Sequence, residues 1–404
     1  MLSAILLSTL PAALQSDDEP DLIVLAAGGE IECRVLLEGD QKIVYRAKKK
    51  TQEMARAEVQ EVQSIERSLR EFLTQFEGIS ARDTAALADM ALFAEEHYLP
   101  GEAHNAWIRI LTLDPEHVQA WTKLGGVKRR KGWELKVRGR FLDIQELRER
   151  VSDWKNALEL RTAHFLIQTD APPERALDVS LDVERAYLTF YDVFGKHIGL
   201  HVFDEVPEIH IFADPQDYPS PPTPGEDAWF SVPANTVYVN ARENRDTGKI
   251  LAEFTEALVF NAFRRTLGKT GQLEPWVLEG IKQAFAAGVR PVPGRVRFEF
   301  ESPYIPWFEL QARDWSALEL EQVLRAGLSS FSSGTDATRY SAQSYTLTHF
   351  LVFFENGKHR PGFAEFVRDS FLGKGGTSNF FKALGVEEKA LQREWSDYVK
   401  SIAG

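Results

Sequence analysis

The chain has 404 residues, 44% of them apolar, enough for about two or three domains with real cores, which excludes a disordered protein and a coiled-coil array. Forty-seven Lys+Arg against 60 Asp+Glu leave a net charge of -13, and a field of that sign repels phosphate backbones, so nucleic acid is not an expected partner. The single cysteine, Cys33, excludes an intramolecular disulfide framework, thiolate zinc knuckles and iron–sulfur clusters.

Residues 1–16 read as a signal peptide. The run Leu2–Leu14 is too short to cross ~30 Å of hydrocarbon and has the length of an h-region, with Ala12 and Ala13 near a cleavage point and the acidic Asp17, Asp18 and Glu19 beyond it. Only the amino terminus supplies its positive charge. An exported protein, periplasmic or extracellular, is therefore predicted. No later stretch approaches ~18 uninterrupted apolar residues, so the protein is not expected to be embedded in a membrane.

Residues 20–61 read as a small β unit. Ile31, Cys33, Val35 and Leu37 alternate with Glu30, Glu32, Arg34 and Leu36, which predicts a strand with one buried face and makes Cys33 a small core residue. Further strands are expected at Lys42–Ala47 and around Glu53–Val59, giving a meander or an SH3-like barrel.

From Val62 the period changes to three and four through Ile65, Leu69, Phe72, Leu73 and Phe76, the pattern of a helix ending near Gly78. Leu87, Ala88 and Ala91 mark a second helix and Ala103, Trp107, Ile110 and Leu111 a third, and Asp114-Pro115 starts another. Paired helices with small residues at their crossings resemble a tetratricopeptide unit of about one and a half repeats. Residues 62–160 are thus expected to be helical, with the basic run 128–140 a solvated turn that leads into a linker helix, Phe141–Leu160.

Residues 161–290 predict an α+β unit with its helices after the sheet. Strands are expected at His164–Asp170, Pro207–Ala213 and Thr236–Asn240, and helices at Pro173–Phe194, Gly248–Leu267 and Glu274–Ala287. His164 and His210 fall among apolar neighbours and read as ordinary sheet residues. Residues 291–404 read as mostly helical.

The informative residues lie on the two helices after the sheet, Leu251-Ala-Glu-Phe-Thr-Glu-Ala-Leu-Val-Phe-Asn261 and then Glu274-Pro-Trp-Val-Leu-Glu-Gly280. Here the chain resembles the gluzincin zinc metallopeptidases, in particular the bacterial peptidase MA-like group, over roughly residues 155–400. In that family one helix carries His-Glu-x-x-His and the next supplies a glutamate within Pro-x-Trp-x-x-Glu-Gly. Side chains at i and i+4 leave a helix in the same direction, so two imidazoles grip one Zn²⁺ and the intervening Glu polarises its water.

Overlaying that pattern puts Thr255 and Val259 at the two histidine positions, Glu256 at the general base and Glu279 at the third ligand, with Gln283 where a supporting acid is usual. A rival frame starting at Ala252 would put Glu253 at the base and Glu256 at the second ligand. Both frames lack both histidines, and no histidine lies between His210 and His349. Thr255 offers one neutral hydroxyl and Val259 nothing, so a tight zinc site is not expected.

The resemblance therefore implies a gluzincin-like α+β core with degenerate chemistry, no cofactor and no metal. The expected role is binding or scaffolding of a protein or peptide, through a residual cleft that Trp229, Trp276 and Tyr340 would line, through the tetratricopeptide-like helices, or both. An active hydrolase with a rebuilt site is the competing class. The Glu256 and Glu279 carboxylates are expected to face one another, separated either by water or by a nearby Arg or Lys, Lys282 being one candidate from the second helix.

Overall fold

Alternation of apolar and polar side chains builds the first sheet. In a computed structural model of the chain, which describes residues 21–80, 82–130, 132–137, 139–203, 206–222, 226–240, 247–268, 271–292, 295–313, 317–331 and 335–404, five antiparallel strands lie in the order β4-β3-β2-β1-β5. They are β1 Asp21–Leu25, β2 Glu30–Glu38, β3 Lys42–Ala47, β4 Lys50–Ala55 and β5 Val59–Gln63. Ile23, Cys33, Val35, Ile43, Tyr45, Val59 and Val62 form their shared core. The predicted signal peptide lies outside the described residues.

Three sequence expectations change here. The strand predicted around Glu53–Val59 is two strands, β4 and β5, with a 3-10 turn at Arg56–Glu58 between them. Val62, expected to open a helix, ends up in β5, because Ser64 caps the helix from its own hydroxyl by accepting from Arg67 N, and the helix begins one residue later. The single buried face of β2 holds only as far as Cys33. Arg34 and Leu36 are buried too, since the register shifts between Val35 and Leu37 and Arg34 is ion-paired.

The helices that follow are α1 Ile65–Glu77, α2 Thr84–Glu96, α3 Pro100–Leu113 and α4 Val118–Lys123, with α2 packed along α3. The expected linker helix 141–160 is not formed. The basic run instead makes a three-stranded meander, β6 Val127–Arg129, β7 Gly132–Val137 and β8 Arg140–Leu142, before a short α5 Ile144–Val151. Gly132 and Gly139 take positive φ at its two turns, and the cations lie on rings: Arg129 over Phe141 at 4.2 Å and Lys128 over Trp133 at 5.9 Å.

A second sheet, ordered β12-β13-β11-β10-β9, is built from β9 Leu158–Arg161, β10 Leu166–Thr169, β11 Glu208–Phe212, β12 Ala228–Ser231 and β13 Thr236–Asn240. α6 Pro173–Phe190 connects β10 to β11, which run parallel, as a strand–helix–strand crossover requires. Strands β1–β5 and β9–β13 belong to separate sheets.

All of these elements except the last two residues of α6 belong to one compact unit, the chain to Leu188 with Val202–Pro221 and Asp227–Arg245. The other unit comprises Thr189–His201, Pro222–Glu226 and Asp246–Gly404. It holds α7 Lys196–Ile198, α8 Thr247–Leu267, α9 Pro275–Gly288, the hairpin β14 Val289–Val292 and β15 Arg295–Phe298, α10 Ile305–Ala312, α11 Leu320–Leu324, α12 Thr335–Phe353, α13 Arg360–Asp369, α14 Thr377–Leu384 and α15 Glu388–Ala403. The molecule is thus mixed α+β, and among the described residues no helix is long and apolar enough to cross a membrane.

Candidate functional site

Over residues 251–263 α8 is buried almost all round. Leu251, Phe254, Thr255, Ala257, Leu258, Val259, Ala262 and Phe263 are all buried, which leaves Glu253, Glu256 and Phe260 as a half-buried stripe at helical spacing. Thr255, aligned with the first histidine, is fully buried and spends its hydroxyl on Leu251 O at 2.6 Å. Val259, aligned with the second, packs in the core.

α9 carries the cation. Lys282 Nζ lies 2.7 Å from Glu253 Oε1 and 3.0 Å from Glu256 Oε2, with its side chain 14% exposed. Burial pushes the lysine down, and the charges of Glu253, Glu256 and Glu279 more than offset this and hold it above the ordinary lysine range. Burial pushes Glu253 up, Lys282 opposes that, and Glu256 adds to it. Glu279 keeps other company: it accepts from Gln283 Nε2 at 2.9 Å and from Ser341 Oγ, on α12, at 2.6 Å. Lys282 is thus ion-paired with Glu256 and, at shorter distance, with Glu253, named only in the rival frame, while Glu279 bears on the lysine only through its charge.

The Pro-x-Trp-x-x-Glu-Gly segment has a structural account in this unit. Pro275 opens α9, where its missing N–H costs nothing. Trp276 is 1% exposed among Phe363, Phe366 and Phe380, so it belongs to the core. Gly280 lets α9 meet α12: a Cβ there would stand 2.1 Å from Thr348 Oγ1 and 2.5 Å from Ser344 O. Gly280→Ala, favoured by helix propensity alone, is accordingly expected to destabilise the fold by about 2 kcal/mol in denaturant unfolding; a gain would show that α9 and α12 separate freely.

The three aromatic residues expected in a cleft are placed differently from one another. Trp229, on β12, stacks on Tyr238 with centroids 4.6 Å apart, and Tyr340, on α12, meets Phe331 edge-on at 5.9 Å. Trp229 and Tyr340 belong to different units, and Trp276 to the same unit as Tyr340.

His164 corrects the reading of an ordinary sheet residue. It precedes β10, and its ring sits between two carboxylates, Nδ1 2.8 Å from Glu184 Oε2 and Nε2 3.4 Å from Glu66 Oε1, stacked on Tyr187 at 3.7 Å. Its backbone N–H donates to Glu184 Oε1 as well. Glu66 also accepts from Arg34, which donates onward to Asp21, so a chain of buried charges links the first sheet, α1, the start of β10 and α6. Burial alone would lower the histidine; the Glu184 and Glu66 carboxylates reverse this and raise it to about 9. The signal for this network was Arg34 inside an apolar alternation, but its partners lie 13 to 150 residues away along the sequence and no local pattern joins them.

Among the described residues no group of three or more His, Cys, Asp or Glu is arranged to hold a metal ion. No family model matches the chain, and no curated protein or solved structure is significantly similar to it.

Proposed function

We propose that the chain is an exported, non-catalytic relative of the gluzincin metallopeptidases, acting by binding a protein or peptide. One observation carries the reading: the carboxylate aligned with the general base, Glu256, is tied to the Lys282 ammonium, while Thr255 and Val259, at the ligand positions, are packed into the core. A general base must be free to take a proton from water, and a fixed ammonium beside it both removes that freedom and repels a divalent cation. For binding, β12 at the end of its sheet and the paired helices α2 and α3 are the kinds of element that take an added strand or a short peptide.

The test is zinc. After exposure to equimolar Zn²⁺ and dialysis, the purified protein should retain no stoichiometric metal; tightly held zinc would establish the hydrolase reading instead. Thr255→His with Val259→His should bind zinc far better than the parent, and adding Lys282→Gln should tighten it further by removing the competing charge. If that pair binds none while the protein stays folded, and histidines at 252 and 256 do bind, the alignment of α8 with the metallopeptidase helix is wrong.

A further inference from the structure

Positive charge is gathered in one place on this acidic chain. Seven of the 47 Lys+Arg lie within residues 127–142, where Glu134 is the only acid, so the stretch carries +6. The rest of the chain, with 40 Lys+Arg against 59 Asp+Glu, carries -19. The stretch is the meander β6-β7-β8 of the first unit, and Lys128, Arg129, Arg130, Lys136 and Arg140 are all exposed on it.

Strand register sets the direction of these side chains. Gly132, Glu134 and Lys136 alternate along β7 and share a face with their cross-strand partners Arg129, Val127 and Phe141. Trp133 and Leu135 take the other face. Leu135 is buried and Trp133 stacks on Trp121 at 6.2 Å, so that face packs on the unit and the face of Arg129 and Lys136 is turned outward. The Arg129 guanidinium lies over the Phe141 ring at 4.2 Å, with the Glu134 carboxylate 3.9 Å from it.

Several exposed cations elsewhere in this unit meet carboxylates, as Lys42 meets Glu53, Arg67 meets Glu38 and Arg148 meets Glu174. Arg130, Lys136 and Arg140 meet none among the described residues. In a chain with an excess of acids, neighbouring cations left without a counter-charge are complementary to an anion from outside.

We propose that the outward face of this meander docks an acidic, extended segment of a partner protein, whose carboxylates meet Arg129, Arg130 and Lys136. Arg129 pairs with Gly132, and Lys136 stands four residues further along β7, about 13 Å at the ~3.3 Å rise of a strand. Carboxylates at i and i+4 of an extended peptide span that distance, and the planar fork of an arginine, here held against a ring, suits a carboxylate. Other anions fit the face less well. A membrane or a duplex extends far beyond the ~8 Å over which charges act at physiological salt, and would bring its phosphates against the acidic remainder of the chain. A single nucleic-acid strand is held by bases stacked on open rings, and Phe141 and Trp133 are already engaged by Arg129 and Trp121. The face lies in the first unit, so it adds a surface to the binding role proposed above without depending on how α8 is aligned.

Fluorescence anisotropy of a labelled dodecapeptide of alternating Glu and Thr, titrated with the full chain, tests this. Binding in 50 mM NaCl should weaken at least about tenfold in 300 mM NaCl. Arg130→Ser with Lys136→Ser should weaken it at least about tenfold in 50 mM NaCl. Lys49→Ser with Lys50→Ser, which removes the same charge from another exposed turn of the unit, should change it less than about twofold. Amide exchange of the parent locates the site without any variant: the peptide should slow exchange within 127–142. No binding in 50 mM NaCl, an equal loss in both pairs, or protection confined to other segments would overturn the proposal. Tighter binding of a dodecathymidylate or of phosphatidylglycerol vesicles than of the peptide would assign the face to nucleic acid or lipid and overturn it as well.

Discussion

Replacing His164 with glutamine is expected to cost about 3 kcal/mol of unfolding free energy at neutral pH, among the largest single-residue effects in the protein. Glutamine can keep one hydrogen bond to Glu184, but it leaves that carboxylate, and Glu66 beside it, without the imidazolium charge in a site closed to water. The pH dependence identifies the cause. The folded-state value of about 9 lies above the ordinary 6.5, so the histidine's contribution is complete below pH 6.5 and is lost as pH rises through about 9. A shift of that size is worth about 3 kcal/mol over the window. Urea midpoints measured from pH 6 to 10 should fall steeply in the parent and little in His164→Gln. Parallel curves for the two would show that the imidazolium is not what holds the network. By contrast Arg148, whose ion pair with Glu174 is about half exposed on both sides, should tolerate Ala with a change below about 1 kcal/mol.

Lys282→Met is expected to be comparably severe in the second unit. The substitution keeps the length and apolar stem of the side chain and removes the charge, so Glu253 and Glu256, neighbours one turn apart on α8, are left half-buried without their shared cation. Loss of one partner from such a cluster costs about 3 kcal/mol. Protonation relieves the repulsion, so the variant should recover stability as pH falls from 7 toward 5, while the parent, whose lysine stays charged throughout, should not. Glu253→Gln in the Lys282→Met background should restore part of the loss at pH 7, and a double-mutant cycle gives the coupling. If Lys282→Met unfolds like the parent at every pH, the ammonium is not compensating these carboxylates, and the argument that it disables Glu256 as a base fails with it.

Length, charge and the shifts in hydrophobic period were enough to place the longer elements as far as α9. Strand β13 and helices α8 and α9 fall within a residue of their predicted limits; the two helices each carry several turns of one pattern with Gly or Pro at the ends, and β13 is a short run of β-branched and aromatic residues. The sequence alone also determined that α8 carries no histidine, whatever the chain folds into. It offered Lys282 as one candidate cation from the second helix, and only the structure paired that lysine with Glu253 as well as Glu256. What it misread was local chain whose fate depends on distant contacts. The basic run 128–140, read as a solvated turn, folds instead with its neighbours as a meander in which Trp133 stacks on Trp121 and Arg129 covers Phe141. Arg34 and His164 became buried charges only because Asp21, Glu66 and Glu184 converge on them from separate elements. Periodicity reports which side of an element is apolar; it is blind to a polar residue that is buried because a charge far along the chain meets it, and only the tertiary structure decides that.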